Sequence, residues 1–361
     1  MKYSGFLDFS IKTEYQMQNE LRSLVNSFKD SVVNGEVDYE DYHDCLKKYG
    51  RYIDIQKPSL LEYMLGPYSS GMTKAIAPVS EKFGVPMVEA EGASRSLFTQ
   101  GYKYLFAVLS TSEQYLATAI DMAADSTSDP SSIKVALAFE GDPFSMDVRA
   151  GVVDKIKEYN MKVVIDDQLP ADLSDMSTTL TKAKAIKPDI LIVSGHSKGA
   201  ATAARQIDEM KVNVPMIAMT HCEAAKVQEK FPNASTGFLC PTQWVETLSK
   251  SDPMFGSAAE WNAGFKTDNP SYSSVPYQSA QASAAVYVFK EAFEAANSFD
   301  KDAVRDAISA VEMETFYGDI KFSENGNNIA KPMFMRQIGS DGSYKLVEKF
   351  GDVAFPRNVK Y

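Results

Sequence analysis

Cysteine is scarce in this chain of 361 residues, which contains only Cys45, Cys222 and Cys240. An odd, sparse set of this kind gives no disulfide framework of the sort that holds small secreted domains together. Cys222 and Cys240 could pair, although their separation in the sequence does not demand it. Histidine is equally scarce, with three residues in all, so there are few candidates for a catalytic base.

The chain also lacks an excess of positive charge and any long apolar run. Its formal net charge is -11 and its pI is about 4.9, which argues against nucleic acids and anionic membrane surfaces as partners. No segment reaches the roughly 18 apolar residues of a membrane-spanning helix. The N-terminal "MKYSGFLDFSIKTEYQ" does not have the pattern of a signal peptide. An export signal already removed, an unusual gene start and a cytosolic protein all stay open.

What the chain does have is length and regular patterning. With 44% apolar residues, it is long enough for two lobes of roughly 150 residues each. Residues 1–60 are charged and predict two helices. From residue 61 onward, apolar runs such as "VPMVEAEG", "IKVALAFEG", "DILIVSG" and "VPMIAMT" alternate with helical stretches. This alternation predicts an α/β fold of parallel sheets with helices on both faces.

Ligands of such folds bind beyond the carboxyl ends of the strands. Ser69 and Ser70 follow one predicted strand and open a helix, where hydroxyls and backbone N–H groups suit a carboxylate. Phe144 offers a flat apolar face at another strand end. His196 and His221 supply polar groups from two more. The set predicts binding of a small polar solute rather than chemistry on it.

A hydrolase is the first alternative, because residues 195–199, "GHSKG", match the G-x-S-x-G pattern of a nucleophile elbow between a strand and a helix. Only His221 follows Ser197, however, and the acidic residues between them, Asp208 and Glu209, lie within a predicted helix. Without a base and an acid in the required order, the pattern favours a glycine-bearing loop that opens a helix.

A metal site is the second alternative, formed by His196, His221, Cys222 and Glu223. Two histidines from adjacent strand ends suit zinc. The two histidines lie on separate loops, though, and no short two-ligand spacing supports the pattern. We therefore predict no metal, no cofactor and no catalytic residue.

A longer pattern resembles a known family. The segments "LLEYMLGPYSSGMTKAIAPVSEKFGVPMVEAEGASRSLFTQGYKYLFAVL", "AIKPDILIVSGHSKGAATAARQIDEMKVNVPMIAMT", "GFLCPTQWVETL" and "METFYGDIKFSENGNNIAKPMFMRQI" resemble the type I periplasmic solute-binding proteins of the branched-chain amino acid (leucine/isoleucine/valine-binding) family. The resemblance covers about residues 60–361. It implies two doubly wound parallel-sheet lobes joined by three crossovers, with hinges near residues 112, 242 and 331.

The implied first lobe comprises residues 1–112 and 243–330, and the second comprises residues 113–242 and 331–361. Residues 1–60 depart from the family, which begins with an export signal, an apolar strand and a glycine-bearing turn.

The resemblance also implies site residues. Ser70 matches the serine that hydrogen-bonds the ligand carboxylate, and Phe144 matches the aromatic residue that covers the ligand. Thr220 stands where branched-chain binders place the glutamate that pairs with the ligand ammonium group, so a ligand without an ammonium group is also open. Tyr277 is interpreted as packing between lobes, and Phe316 and Tyr317 as core or hinge residues. The predicted ligand-binding set is Tyr68, Ser69, Ser70, Glu91, Gly92, Ala93, Phe144, His196, Thr220, His221 and Trp244.

The function implied by the resemblance is that of the substrate-binding component of an ABC importer, with no enzymatic activity. It would capture an amino acid, amide or small carboxylate between two closing lobes and deliver it to the membrane subunits of the transporter. A periplasmic or extracellular location follows from the family. A serine hydrolase using residues 195–199 and a cytosolic ligand sensor on the same scaffold are the alternatives.

Overall fold

The structure, a computed structural model, describes residues 63–272, 274–357 and 359. All of the described residues belong to one compact unit, Glu62–Tyr361. The helices predicted within residues 1–60, and the departure of that segment from the family pattern, lie outside the described residues.

The described strands build two main sheets. In chain order they are β1 (Met64–Leu65), β2 (Met87–Glu89), β3 (Leu105–Ala107), β4 (Lys134–Glu140), β5 (Lys162–Leu169), β6 (Ile190–Ser194), β7 (Met216–Met219), β8 (Leu239–Thr242), β9 (Ser251–Asp252), β10 (Gly256–Ser257), β11 (Glu312–Thr315), β12 (Gly318–Lys321), β13 (Phe334–Ile338) and β14 (Tyr344–Val347). β1, β2 and β3 form one parallel sheet. The second sheet has the order β14-β13-β8-β7-β6-β4-β5, and its strands from β4 to β8 run parallel.

Helices follow most of these strands. They are α1 (Ser70–Phe83), α2 (Ala117–Asp125), α3 (Pro143–Glu158), α4 (Ser177–Ile186), α5 (Ser197–Glu209), α6 (Val227–Lys230), α7 (Pro232–Ser235), α8 (Ala258–Asp268), α9 (Tyr277–Ala296) and α10 (Lys301–Ser309). Over the described part of the chain, no helix has the length and apolar character needed to cross a bilayer. We call the part built on the three-stranded sheet the first lobe and the part built on the seven-stranded sheet the second lobe.

Both sheets are covered on two faces, as the βα alternation predicts. In β4, Val135 and Leu137 face the cluster that contains α2 and α3, whereas Ala136 and Ala138 face the cluster that contains α4 and α5. Successive residues of a strand point to opposite faces, so a strand that is apolar throughout is buried on both. The first lobe repeats this arrangement, with α1 on one face and α9 on the other.

Two local predictions were wrong or incomplete. The sequence after the run "VPMIAMT" predicts a helix over residues 222–230. In the structure this helix begins only at Val227, because His221 and Lys226 have φ of 57° and 53°, which a right-handed helix does not allow. Helix α8 was not predicted, although its start carries a capping box in which Ser257 and Glu260 satisfy each other's backbone N–H groups.

Three crossovers connect the lobes near the predicted hinges. Gln243 joins them, because its Oε1 accepts from Ser110 N at 3.1 Å and its Nε2 donates to Ser110 O at 2.9 Å. Ser110 Oγ donates to Lys331 O at 2.9 Å, and Lys331 Nζ donates to Gln243 O. Burial lowers the pKa of Lys331 to about 7. The crossovers are therefore held by a buried hydrogen-bond network.

The lobes also share apolar packing. One hydrophobic cluster contains Met87 and Leu105 from the first lobe together with Val135 and Val148 from the second. The shared cluster explains why Glu62–Tyr361 is one compact unit. The lobe boundaries given above stay a prediction.

Cys222 and Cys240 form a disulfide, with their Cα atoms 6.0 Å apart. The two residues are 18 positions apart, and a cross-link that closes a loop of this length contributes about 3 kcal/mol through chain entropy. We expect the double variant Cys222→Ser/Cys240→Ser to lose about that much free energy of unfolding. Urea denaturation of both proteins measures the loss. The wild-type protein unfolded in reductant should match the variant, and equal stability of all three samples would contradict the prediction.

Candidate functional site

The carboxyl ends of strands from both lobes meet at one cleft. Among the described residues, its lining comes from the first lobe and the first crossover on one side and from the second lobe on the other: Tyr68, Ser69, Ser70, Glu91, Tyr115, Tyr277, Phe144, His196 and His221. The cavity volume available to the centre of a water molecule is about 10 Å³, which is room for roughly one water. An amino-acid-sized ligand therefore enters only when the two sides separate.

Glu89 anchors the first-lobe side of the cleft. This residue is fully buried at the end of β2, and its Oε1 accepts the backbone N–H groups of Glu91 at 2.7 Å and Gly92 at 2.8 Å. Its Oε2 accepts from Thr73 Oγ1 in α1 at 2.8 Å. Burial raises the pKa of Glu89 despite these donors. One carboxylate thus fixes the loop after β2 against the start of α1.

Ser70 lies beside that loop. Its side chain is buried, and its Oγ accepts from Ser94 N at 3.0 Å. The Ser70 hydroxyl hydrogen is then available for an acceptor in the cleft, because the bond to Ser94 uses only an oxygen lone pair.

In the second lobe, the carboxylates of Glu140 and Asp142 accept hydrogen bonds from backbone N–H groups at the starts of two helices. Glu140 ends β4, is 1% exposed, and accepts from His196 N at 3.1 Å, so it holds the start of α5. Burial raises the pKa of Glu140 to about 7. Asp142 caps α3 by accepting the N–H groups of Phe144 at 2.9 Å and Ser145 at 3.3 Å. These bonds set Phe144 at the cleft, with its ring centroid 5.0 Å from that of Tyr115.

The histidines meet Tyr68 across the cleft. Tyr68 Oη lies 3.2 Å from His196 Nδ1 and 3.5 Å from His221 Nε2. His221 Nδ1 lies 2.8 Å from Gly195 O, which assigns the proton to Nδ1 and leaves Nε2 to accept from Tyr68. Burial lowers the pKa of His221 to about 4, so this ring is neutral at pH 7.

His196 differs in charge from His221. Burial acts to lower the pKa of His196, but the hydrogen bond and negative charge of Asp142, 3.4 Å from His196 Nε2, outweigh it and raise the pKa. For Tyr68, burial raises the pKa to about 12, and the negative charge of Glu91 adds to this rise. The second-lobe face therefore offers one imidazole that readily gains a proton and one that stays neutral.

Seven of the predicted site residues line this cleft, namely Tyr68, Ser69, Ser70, Glu91, Phe144, His196 and His221. Their roles in ligand binding stay predictions. Tyr115 was not predicted, and Tyr277, interpreted as packing, is both buried and at the cleft. Tyr115 follows the first crossover and Tyr277 begins α9. The sequence held no local signal that these two points of the chain meet.

The structure does not place Trp244 at the cleft. Its side chain is 2% exposed, its ring lies 5.3 Å from that of Trp261, and its Nε1 donates to Phe316 O at 3.0 Å. Trp244 is a core residue of the first lobe, because its ring and its N–H both find partners there. Phe316 and Tyr317 are fully buried, as interpreted from the sequence.

Thr220, Gly92 and Ala93 also lie behind the cleft surface. Thr220 Oγ1 donates to Gly195 O at 2.7 Å and accepts from Gly195 N at 3.0 Å, so its one hydroxyl hydrogen is used in holding that loop. A Cβ on Gly92 would lie 2.3 Å from Thr73 Oγ1, so only glycine fits there. Ala93 is 1% exposed. None of the three lines the cleft, and their roles as ligand contacts stay predictions.

The metal hypothesis built on Cys222 and Glu223 is wrong. Cys222 is in the disulfide, and Glu223 pairs with Arg336. Glu140, Asp142 and His196 do offer one ligand atom each, all within 4.8 Å of one another. These three groups already bond to one another or to the helix starts.

A larger groove, of about 610 Å³, lies near Arg336, Tyr344 and α8. None of the residues of the predicted ligand-binding set lines this groove. The smaller cleft is therefore the candidate functional site.

Comparison with known proteins agrees with this geometry. The sequence family described as periplasmic binding protein matches residues 61–343. The chain belongs to this family. A curated relative, Leu/Ile/Val-binding protein homolog 7 of Brucella abortus, is 23% identical over 343 residues, which cover 88% of this chain and 80% of the relative.

Solved structures share the fold of this periplasmic binding protein. The branched-chain amino acid transporter substrate binding protein LivJ from Streptococcus pneumoniae, in complex with isoleucine, has a TM-score of 0.67 at 20% identity, with 82% of this chain and 81% of the other covered. A solute binding protein from R. palustris, in complex with benzoate, has a TM-score of 0.69 at 15% identity, with 90% and 85% covered. The two lobes joined by three crossovers are thus those of a type I periplasmic binding protein.

Proposed function

We propose that this protein is the solute-binding component of an ABC importer and that it holds an amino acid, amide or small carboxylate between its lobes. The observation that carries the proposal is the convergence of strand ends from both lobes on one cleft lined by hydroxyls, rings and Glu91. The ligands of the two similar structures, isoleucine and benzoate, are both small carboxylates. Serine hydroxyls at the start of α1 suit such a group.

Closure follows from the position of the cleft. A ligand that touches Ser70 on one side and Phe144 or His196 on the other gains contacts only when the lobes meet, so it shifts the population toward the closed form. The closed form would then be recognised by the membrane subunits. The hydrogen-bond network of Gln243 lies at the crossovers, where the lobes must turn.

A thermal-shift screen of amino acids, amides and small carboxylates tests the proposal. A ligand that binds the folded protein raises its melting temperature in proportion to the logarithm of its concentration above Kd. We expect at least one member of these classes to do so. If every compound leaves the melting temperature unchanged, the proposed ligand class is wrong.

The Ser70→Ala variant should bind the ligand found in that screen about 1–2 kcal/mol more weakly, through loss of one hydrogen bond to a charged group. Calorimetric titration measures the difference. Ser80→Ala is the matched control, because Ser80 is a buried serine of the same helix whose hydroxyl donates to Val85 O, away from the cleft. Equal affinities for Ser70→Ala and the wild type would reject the carboxylate role of Ser70.

The alternatives receive less support. Across the described residues no hydrogen bond joins Ser197 to a histidine, because His221 bonds to Gly195 and Tyr68 instead. A phosphonate label on Ser197 would nevertheless reveal a hydrolase. The disulfide between Cys222 and Cys240 favours an oxidising compartment over the cytosol, and cell fractionation separates an exported receptor from a cytosolic sensor.

A further inference from the structure

Tyr115 contacts both lobes at the cleft. Its ring centroid lies 5.0 Å from that of Phe144 in the second-lobe helix α3, and its hydroxyl is hydrogen-bonded to Tyr277 at the start of the first-lobe helix α9. Tyr115 is 4% exposed and lines the cleft. A movement of one lobe relative to the other therefore changes at least one of these two contacts.

The side-chain amide of Gln243 joins this tyrosine to the crossovers. Gln243 is fully buried in the second crossover, directly after β8. Its Nε2 donates to Tyr115 Oη at 3.0 Å and to Ser110 O at 2.9 Å, while its Oε1 accepts from Ser110 N at 3.1 Å. Both amide hydrogens are thus in use. The planar amide cannot turn without breaking buried hydrogen bonds, so it fixes Tyr115 relative to the first crossover.

The backbone of Gln243 is held by the third crossover. Lys331 Nζ donates to Gln243 O, and Lys331 O accepts from Ser110 Oγ at 2.9 Å. The Lys331 ammonium lies between the ring of Tyr317 in the first lobe, at 4.5 Å, and the ring of Phe334 in the second, at 5.3 Å. All three crossovers therefore meet at Gln243, and a turn of the lobes about them changes its surroundings.

A second route leads from Gln243 to the cleft. The Tyr317 hydroxyl, which has one hydrogen to donate, lies 3.4 Å from Gln243 Oε1 and 3.1 Å from Gln281 Oε1. Gln281 is in turn the side-chain hydrogen-bond partner of Glu91, which lines the cleft. Tyr317 and Gln281 are both buried, so this route, like the first, is shielded from water.

We propose that Gln243 is a positioning residue for solute binding, which sets the place of Tyr115 in the cleft wall according to the arrangement of the three crossovers. This inference rests on the proposed function. Gln243 itself is not among the residues that line the cleft. Its amide holds Tyr115 against Phe144 and Tyr277, so the wall is already ordered when the lobes meet around a solute. Without the amide, ordering Tyr115 would cost part of the binding energy.

Calorimetric titration of Gln243→Met tests this role. Methionine is unbranched and similar in length to glutamine, but it cannot replace the amide hydrogen bonds. Isoleucine and benzoate are the first probes, followed by the other compounds of the thermal-shift screen, and the tightest binder of the wild type is titrated into every variant. We expect Gln243→Met to bind it about tenfold more weakly, the equivalent of one hydrogen bond.

Gln337→Met is the matched control. Gln337 is 6% exposed and lies in the second lobe outside the cleft lining. Its Nε2 donates to Gly237 O at 3.2 Å and to Ala354 O at 3.1 Å, and its Oε1 accepts from Ala354 N at 2.7 Å. Gln337→Met should lose stability in urea to a similar extent as Gln243→Met, because both lose buried amide bonds, but its affinity should stay within about twofold of the wild type.

A double-mutant cycle with Tyr115→Phe tests whether Gln243 acts through Tyr115. Phenylalanine keeps the ring but removes the hydroxyl that accepts from Gln243 Nε2. If the two residues act as one unit, Gln243→Met added to Tyr115→Phe should weaken binding by less than about threefold further.

Three results would overturn the positioning role and leave the solute-binding function standing. They are an affinity of Gln243→Met within about twofold of the wild type, an equal loss of affinity in Gln337→Met, and a full tenfold further loss in the Tyr115→Phe background. Absence of binding to the wild type by every compound of the screen would overturn the function and the inference together.

Discussion

Replacing Glu89 with alanine should lower the free energy of unfolding by about 4 kcal/mol. Its carboxylate accepts from Glu91 N, Gly92 N and Thr73 Oγ1 in a site that is fully buried. Each buried donor left without a partner costs roughly 1–3 kcal/mol, and relief from burying the carboxyl group offsets part of the sum. Urea denaturation measures the change.

Glu81→Ala is the matched control. Glu81 also accepts two backbone N–H groups, those of Lys103 at 2.8 Å and Tyr104 at 3.1 Å, but it is only half-buried. Water can replace its carboxylate, so the loss should stay below about 1 kcal/mol. Similar losses of unfolding free energy in the two variants would show that burial does not determine how much these carboxylate hydrogen bonds contribute to stability. Glu89→Ala should also weaken ligand binding, since the loop of Glu91 loses its support.

Replacing Arg336 with methionine should cost about 3–5 kcal/mol of unfolding free energy. Arg336 and Glu223 are 9% and 10% exposed and form an ion pair through two nitrogens. The guanidinium also covers the ring of Tyr344 at 4.6 Å. Removal of one partner leaves the other charge buried without compensation, which is the costly step.

The control for Arg336→Met is Arg149→Met. Arg149 pairs with Asp166 in the same lobe, but the two side chains are 31% and 38% exposed, so the loss should be below about 1 kcal/mol. The double variant Arg336→Met/Glu223→Leu should recover most of the stability lost by Arg336→Met alone, because no charge stays buried. A double variant as unstable as the single one would contradict this account.

The order of the elements could be predicted from the sequence because apolar periodicity reflects burial on one or two faces. The continuous apolar run of β4 indicated a strand covered on both sides, and the structure places it between two hydrophobic clusters. The helix expected over residues 222–230 was wrong because the positive φ values of His221 and Lys226 carry no signature in those residue types. The start of α8 carries a capping box between Ser257 and Glu260, which is a sequence signal for the beginning of a helix.

The cleft was predictable in part. Ser70, Phe144 and His196 follow strands in the sequence, and parallel strands present their carboxyl ends at one edge. Trp244 also follows a strand, β8, but its indole turns into the core, where Phe316 O accepts its N–H. The residue type and the position of Trp244 are typical of a ligand contact. Its packing against the rings of Trp261 and Phe316 places it in the core instead.

The sequence by itself determined the α/β class, the two-lobed organisation and the strand ends at which polar side chains gather, because these depend on local periodicity and on the resemblance along the chain. Only the tertiary structure decided that Tyr115 and Tyr277 line the cleft together with Glu91. It also decided that the Thr220 hydroxyl donates its hydrogen bond to Gly195 O and that Cys222 forms a disulfide with Cys240. These contacts join residues distant in the chain. Several residues have side chains that are chemically suitable for such contacts. The packing of whole helices and strands determines which of them come together.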